Sequence, residues 1–179
     1  FFIINFAKGK MSYKLDKAPY NYFYRVYEYE NRTIKKQELN LTSSQRKKLI
    51  SFLENNAKPE NATYQYDFFY NNCATKIRAV LDTVFPNQII FNGNHIKTSY
   101  TMRDLINNNV PYNTWANVGI NIALGSVIDY KASNKEYQFL PEYTYDAFNN
   151  ASINNIPLVQ KSNILYQHDD KRVVKKSFS

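Results

Sequence analysis

The strongest potential for chemistry in this chain lies in its single cysteine, Cys73. It sits in Tyr66-Asp67-Phe68-Phe69-Tyr70-Asn71-Asn72-Cys73-Ala74-Thr75-Lys76-Ile77-Arg78, where an aromatic, strand-like run gives way to a helical pattern. A thiol at a helix start faces backbone N–H groups that have no intrahelical partner. With the helix dipole these favour an anion, which suits a thiolate nucleophile, and they can hold the oxyanion of an acyl-transfer intermediate. A plainer reading competes. Cys73, Ile77, Val80, Leu81 and Val84 recur at helical spacing, and free cysteine is among the most buried residue types, so Cys73 can equally be a small core residue. On pattern alone the core reading is favoured.

A cysteine nucleophile needs a base within hydrogen-bond reach, usually a histidine held by a third polar group. The chain has two histidines. His95 follows Cys73 in a polar stretch able to fold back over the helix start, and it is a candidate base or an exposed loop residue. His168, beside Asp169-Asp170, reads as solvated. Asn72 can cap the Cys73 helix or lend its amide to an oxyanion. Asp67 is a further supporting candidate, and Arg103 with Asp104 forms an exposed pair or anchors a helix beside the site. No cofactor is expected: there is no cysteine pair, no His-Glu-x-x-His run for a metal, and too few glycines for a phosphate cradle. The Asn-x-Ser/Thr triplets at Asn31, Asn40, Asn61 and Asn150 are expected by chance in so Asn-rich a chain.

Several elements must position these residues. Phe1 to Lys8 fits the end of a helix stopped at Gly9, and residues 11–15 alternate as a strand does. Pro19 fits the first turn of an aromatic helix with Tyr20, Phe23, Tyr24 and Tyr27 on one side. Residues 33–41 read as a strand. Thr42-Ser43-Ser44-Gln45 has the form of a capping box and predicts a helix over 43–56. A strand over 64–70 is expected to deliver Cys73, whose helix stops before Phe85-Pro86-Asn87. After a loop around Asn92-Gly93-Asn94-His95 come a short helix over 101–106 and a helix from Thr114-Trp115 that Gly125 can end. A last helix opens at Leu140-Pro141-Glu142, and a strand is expected over 157–166.

At 179 residues one domain is the default. A lone cysteine rules out an internal disulfide, and the apolar start at Phe1 is far shorter than the ~20 residues a spanning helix needs. The absence of an initiator methionine suggests that upstream residues are missing. Net charge is +8, but the basic residues are scattered and no readout motif accompanies them, so no nucleic acid is expected as a partner.

The stretch around Cys73 resembles the Lnb N-terminal periplasmic domain of Bacteroides-type bacteria. So do Phe6-Ala7-Lys8-Gly9-Lys10-Met11-Ser12-Tyr13, Tyr29-Glu30-Asn31-Arg32, Leu39-Asn40-Leu41-Thr42, Arg103-Asp104-Leu105-Ile106, Gly119-Ile120 with Ala123-Leu124-Gly125, and Phe139-Leu140-Pro141, in order across nearly the whole chain. The resemblance implies an α+β, permuted papain-like (NlpC-like) cysteine domain: an antiparallel sheet packed by helices, with the nucleophile at a helix N-terminus. Residues 1–179 then form one such domain, truncated at its N-terminus.

The implied activity is bacterial lipoprotein N-acylation. Cys73 takes an acyl chain from a phospholipid and passes it to the terminal amine of a lipoprotein at the membrane surface, in the periplasm, with an inner-membrane tether outside this chain. The basic C-terminal segment would face anionic lipid. In the family the partner histidine precedes the cysteine in a Gly-His-Ser or Gly-His-Ala stretch, whereas here no histidine precedes Cys73. The expectation is therefore a chain that carries the nucleophile but not its base. Two alternatives remain: a papain-like peptidase or cell-wall amidase, and a non-catalytic periplasmic binding domain in which Cys73 is core.

Overall fold

The computed structural model describes residues 11–111 and 114–172. Among them the chain is mixed α+β, with seven α-helices, one 3-10 turn and seven short strands in three small antiparallel sheets. The helix end expected over residues 1–8 lies outside the described residues.

The chain opens with β1 (Ser12–Lys14), which pairs antiparallel with β3 (Thr63–Gln65). Between them come α1 (Tyr20–Tyr29), β2 (Ile34–Leu39) and α2 (Ser43–Asn56). The α2 boundaries and cap match the sequence reading: the Thr42 side chain accepts from the Gln45 N–H, and the Gln45 side chain accepts from the Thr42 N–H. Next are α3 (Cys73–Val84) and β4 (Ile89–Phe91), followed by α4 (Met102–Asn107) and α5 (Trp115–Leu124), which Gly125 ends at φ 57 as it leads into the 3-10 turn Gly125–Ile128. The last part holds α6 (Asn134–Tyr137), α7 (Pro141–Asn149), β5 (Ala151–Ile153), β6 (Ile156–Pro157) and β7 (Val159–Tyr166). β7 returns to pair antiparallel with β2, and β4, β5 and β6 form the third sheet.

One expectation is corrected here. No strand runs from residue 64 to 70, since β3 ends at Gln65 and a tight turn follows, closed by a bridge between Asp67 and Asn71. The Asp67 carboxylate causes that turn, its Oδ1 accepting from the N–H groups of Phe69 (2.9 Å) and Tyr70 (2.8 Å). Strands β4 and β5 and the one-turn helix α6 went unread in the sequence, and the strand expected over 157–166 is divided between β6, which ends at Pro157, and β7.

Two apolar cores hold these elements together. The first joins Leu81, Val84 and Phe85 of the α3 end to Leu41, Phe148, Ala151, Ile153 and Leu158. The second gathers Met102, Leu105 and Ile106 of α4 with Ile128, Tyr137 and Phe139. Leu81 and Val84 are almost wholly buried, and truncating a leucine in such a place costs about 2–5 kcal/mol. The C-terminal half of α3 is thus anchored in the first core, and Ala74 is buried at its other end.

Candidate active site

Cys73 is the first residue of α3, and it is exposed. The core reading of the thiol is therefore corrected: Ala74, Leu81 and Val84 are the buried residues of this helix.

Asn72 builds the helix start. Its side-chain Oδ1 accepts from the N–H groups of Ala74 (2.8 Å) and Thr75 (2.9 Å), and the Thr75 hydroxyl accepts from the Asn72 N–H (2.8 Å). The Asn72 Nδ2 donates to the carbonyls of Phe68 and Phe139, both at 2.8 Å. Every polar atom of this buried amide is engaged, so it positions the helix and ties the preceding turn to the chain ahead of α7. The Lys76 N–H bonds the Asn72 carbonyl (3.0 Å). Of the four first-turn donors, the Cys73 N–H is the one this cap leaves unengaged, and it lies beside its own thiol.

Cys73 opens onto a groove of about 510 Å³, within the range of roughly 300–1,000 Å³ usual for small-molecule sites. One wall comes from β2, whose alternate residues Lys35, Gln37 and Leu39 line it as a period of two requires, with Thr33 just before the strand. The other walls are α3, through Ala74 and Ile77, and α7, through Pro141, Tyr145 and Phe148. Its surface is mostly apolar, and Phe148 and Leu39 connect its floor to the first core. Polar groups at its rim are paired among themselves. The Lys35 ammonium bonds Glu142 and lies 5.1 Å from the Tyr145 ring centroid, while Gln37 Nε2 donates to the Tyr145 carbonyl at 2.9 Å.

An aromatic group that sequence reasoning missed stands on the β1–β3 ribbon. Tyr13 stacks on Tyr66 at 4.5 Å and meets Tyr64 at 6.3 Å. Burial, and after it the charge of neighbouring Cys73, raises the phenols of Tyr64 and Tyr66 above the ordinary tyrosine range. Their alternation within Thr63–Gln65 and beyond was visible in the sequence, but their closeness to the thiol depends on the Asp67 turn.

The other candidates lie elsewhere. His95 does not line the groove; both its ring nitrogens are buried without a hydrogen-bond partner, and burial pushes its pKa below the usual histidine value, with Asp146 acting in the opposite direction. His168, expected to be solvated, is exposed, with Nε2 3.2 Å from Asp170 and Nδ1 2.6 Å from the Asn31 carbonyl. Asn31 itself is a hub: at φ 54 and 3% exposure, it bonds Asp169, Arg172 and Tyr166. Arg103 pairs with Asp129 rather than Asp104, and also bonds Asn121 and the Gly125 carbonyl. Asp104 caps α4 with Thr101. Among the described residues, no group of three or more His, Cys, Asp or Glu side chains is placed to hold a metal.

No curated protein and no solved structure matches the chain. The profile of the Lnb N-terminal periplasmic domain, however, matches residues 1–118, which take in the β1–β3 ribbon, the β2 wall, Asn72, Cys73 and α4. The α7 wall lies beyond that match. The chain therefore belongs to the Lnb N-terminal periplasmic domain family.

Proposed function

We propose that this periplasmic chain is the thiol-bearing part of an acyltransferase that moves an acyl chain from a phospholipid to the N-terminal amine of a lipoprotein. The observation that carries this reading is the exposed Cys73 on the first turn of a capped helix, set at the edge of a mostly apolar groove. An apolar groove suits an acyl chain better than a peptide, whose backbone groups would lose water there without replacement.

In the first step the Cys73 thiolate attacks the ester carbonyl of the phospholipid. The S–C bond forms, the ester C–O bond breaks, and the lysophospholipid leaves with a proton from the base. In the second step the lipoprotein amine attacks the thioester; the C–N bond forms, the base takes the amine proton, the C–S bond breaks, and the thiolate is restored. The Cys73 N–H that the cap leaves over is the first donor available to the oxyanion in both steps. In this reading the groove holds the acyl tail, and Asn72 positions the thiol without touching substrate. The papain-like reading draws support from the thiol at a helix start facing the antiparallel β2–β7 pair, although here three small sheets replace one.

The reaction also needs a base. Neither histidine of this chain lines the groove, so in this proposal the imidazole comes from outside these residues, as does the membrane tether. The test is incubation of the chain, joined to its upstream sequence, with phospholipid labelled in the acyl chain. The expected product is a hydroxylamine-sensitive adduct, lost in Cys73→Ala. Absence of label, or label that survives in that variant, overturns the proposal; release of a peptide fragment in place of an acyl adduct assigns the thiol to peptidase or amidase chemistry.

A further inference from the structure

A second cleft, of about 560 Å³, lies on the other side of α3 from the Cys73 groove. Cys73, Ala74 and Ile77 line the groove, whereas Thr75, Arg78, Ala79 and Asp82 line the cleft, as helical spacing separates them. Across from them stand residues of α6 with Gln138, and Phe69 and Tyr70 of the Asp67 turn complete the wall. Two buried atoms of these lining residues have no hydrogen-bond partner among the described residues: the donor Arg78 Nη1 and the acceptor Gln138 Oε1. Gln138 is wholly buried, and its other polar groups are all engaged. Its N–H donates to the Lys135 carbonyl (3.2 Å), its carbonyl accepts from the Thr144 hydroxyl (2.7 Å), and its Nε2 donates to the Asn134 carbonyl (3.3 Å). The last contact fixes which way the amide points, since the reverse would set Oε1 against that carbonyl. Arg78 lies over the Phe91 ring at 4.1 Å and meets Asp82 through Nε at 3.4 Å, which leaves Nη1 unused. Unpaired buried polar groups are uncommon in folded proteins. A donor and an acceptor on one cleft call for a ligand that offers both.

We infer that this cleft binds an extended, uncharged peptide segment through its main chain, with Arg78 donating to a peptide carbonyl and Gln138 accepting from a peptide N–H. One residue of an extended chain presents its N–H and C=O on the same side, as paired strands do when they exchange two bonds. The rest of the lining argues against other polar ligands. Arg78 and Lys135 are balanced by Asp82 and Glu136, so no net charge selects an anion. The hydroxyls of Thr75, Thr83 and Ser133 are committed to Asn72, the Ala79 carbonyl and Glu136, so the many hydroxyls of a sugar would find few partners. The 3.4 Å contact to Asp82 is long for a hydrogen bond, and it lets the guanidinium tilt toward a peptide in the cleft. In the acyl-transfer reading the peptide is the acceptor's chain, held across the helix from the acyl groove. Peptide binding itself does not rest on that reading.

The test is an NMR titration of the isotope-labelled chain, without lipid, using the capped peptide acetyl-Ala-Ser-Ala-Ser-Ala-amide. The side-chain signals of Arg78 Nε–H and Gln138 Nε2–H are followed. Both are expected to shift saturably, with a Kd of about 1 mM for so few bonds. Arg78→Met and Gln138→Met should each weaken binding about tenfold. The same peptide methylated on its backbone nitrogens keeps its carbonyls but cannot donate to Gln138. It should bind the unaltered chain about tenfold more weakly, a comparison that no folding defect can disturb. Absence of a saturable shift, or equal binding of the two peptides, overturns the assignment and leaves water as the partner of both atoms. Shifts produced by a disaccharide of N-acetylglucosamine and not by the peptide overturn it in favour of a sugar. None of these results depends on acyl labelling of Cys73, and a failure of that labelling leaves them standing.

Discussion

Replacing Asn72 separates a simple exposed cap from the buried hub described above. In Asn72→Ala two kinds of interaction are lost. The cap to Ala74 and Thr75 is worth about 1 kcal/mol. The carbonyls of Phe68 and Phe139 also lose their 2.8 Å donors, at about 1 kcal/mol for each hydrogen bond removed. The expected loss is about 3 kcal/mol, or about 6–12 °C in Tm for a chain of this size.

The substitution Asn72→Asp is the sharper test. Aspartate is as good an N-cap as asparagine on an exposed helix, and a cap-only account predicts stability equal to the parent. Here the carboxylate keeps the two acceptances but cannot donate, and it would face two carbonyl oxygens at a site only 5% exposed. We expect Asn72→Asp to lose about 2 kcal/mol or more. Urea unfolding followed by far-UV circular dichroism measures both variants, with a midpoint shift at constant slope. If Asn72→Asp unfolds within about 0.5 kcal/mol of the parent, a surface-scale change, the hub argument is wrong and Asn72 is an ordinary cap.

Other consequences can be checked separately. Ile77 is 54% exposed in the groove wall, so Ile77→Arg should leave the urea midpoint alone yet cut acyl labelling of Cys73 about tenfold, matching roughly 1.5 kcal/mol of lost apolar contact; unchanged labelling would remove the tail from this groove. Burial lowers the pKa of His95, against the opposing pull of Asp146. The unfolded chain therefore takes up the proton first, and stability present above about pH 6.5 declines as pH falls toward the folded midpoint; an NMR titration of His95 with a midpoint at or above about 6.5 contradicts this, and His95→Gln should flatten that part of the stability profile. Arg103 clamps α4 to the end of α5 through Asp129, Asn121 and Gly125, and lysine lacks the planar fork to make all three contacts. Limited proteolysis of Arg103→Lys should cut faster within residues 108–128, with no change in cutting near Cys73.

What the sequence disclosed divides along local and non-local lines. Thr42-Ser43-Ser44-Gln45 set the start of α2 correctly because a capping box is complete within four residues. The start of α3 at Cys73 and the stop of α5 at Gly125 were legible for the same reason. The partners of Asn72 and Arg103 were not. Phe139 lies 67 residues from Asn72, and Asp129 lies 26 from Arg103; nothing in the intervening chain marks either pairing. Arg103-Asp104 looked like a pair because the residues are adjacent, yet each turns to a different element.

The misleading stripe of α3 has a physical explanation. Cys73, Ile77, Val80, Leu81 and Val84 do share one broad side of the helix, as helical spacing predicts. At the C-terminal end that side faces Phe85, Phe148 and Ile153 and is core. Toward the N-terminal end the same side meets β2 and α7 across the groove, so Cys73 and Ile77 are exposed although their pattern is unbroken. An apolar groove imposes the same residue types as a core, and hydrophobic periodicity cannot tell the two apart. What distinguishes them is the anchoring: Leu81 and Val84 fix one end of the helix, and the Asn72 hub fixes the other, so the segment between can carry an exposed thiol in a defined position. Sequence pattern alone favoured burial for Cys73. The two anchors explain how the same pattern leaves it open.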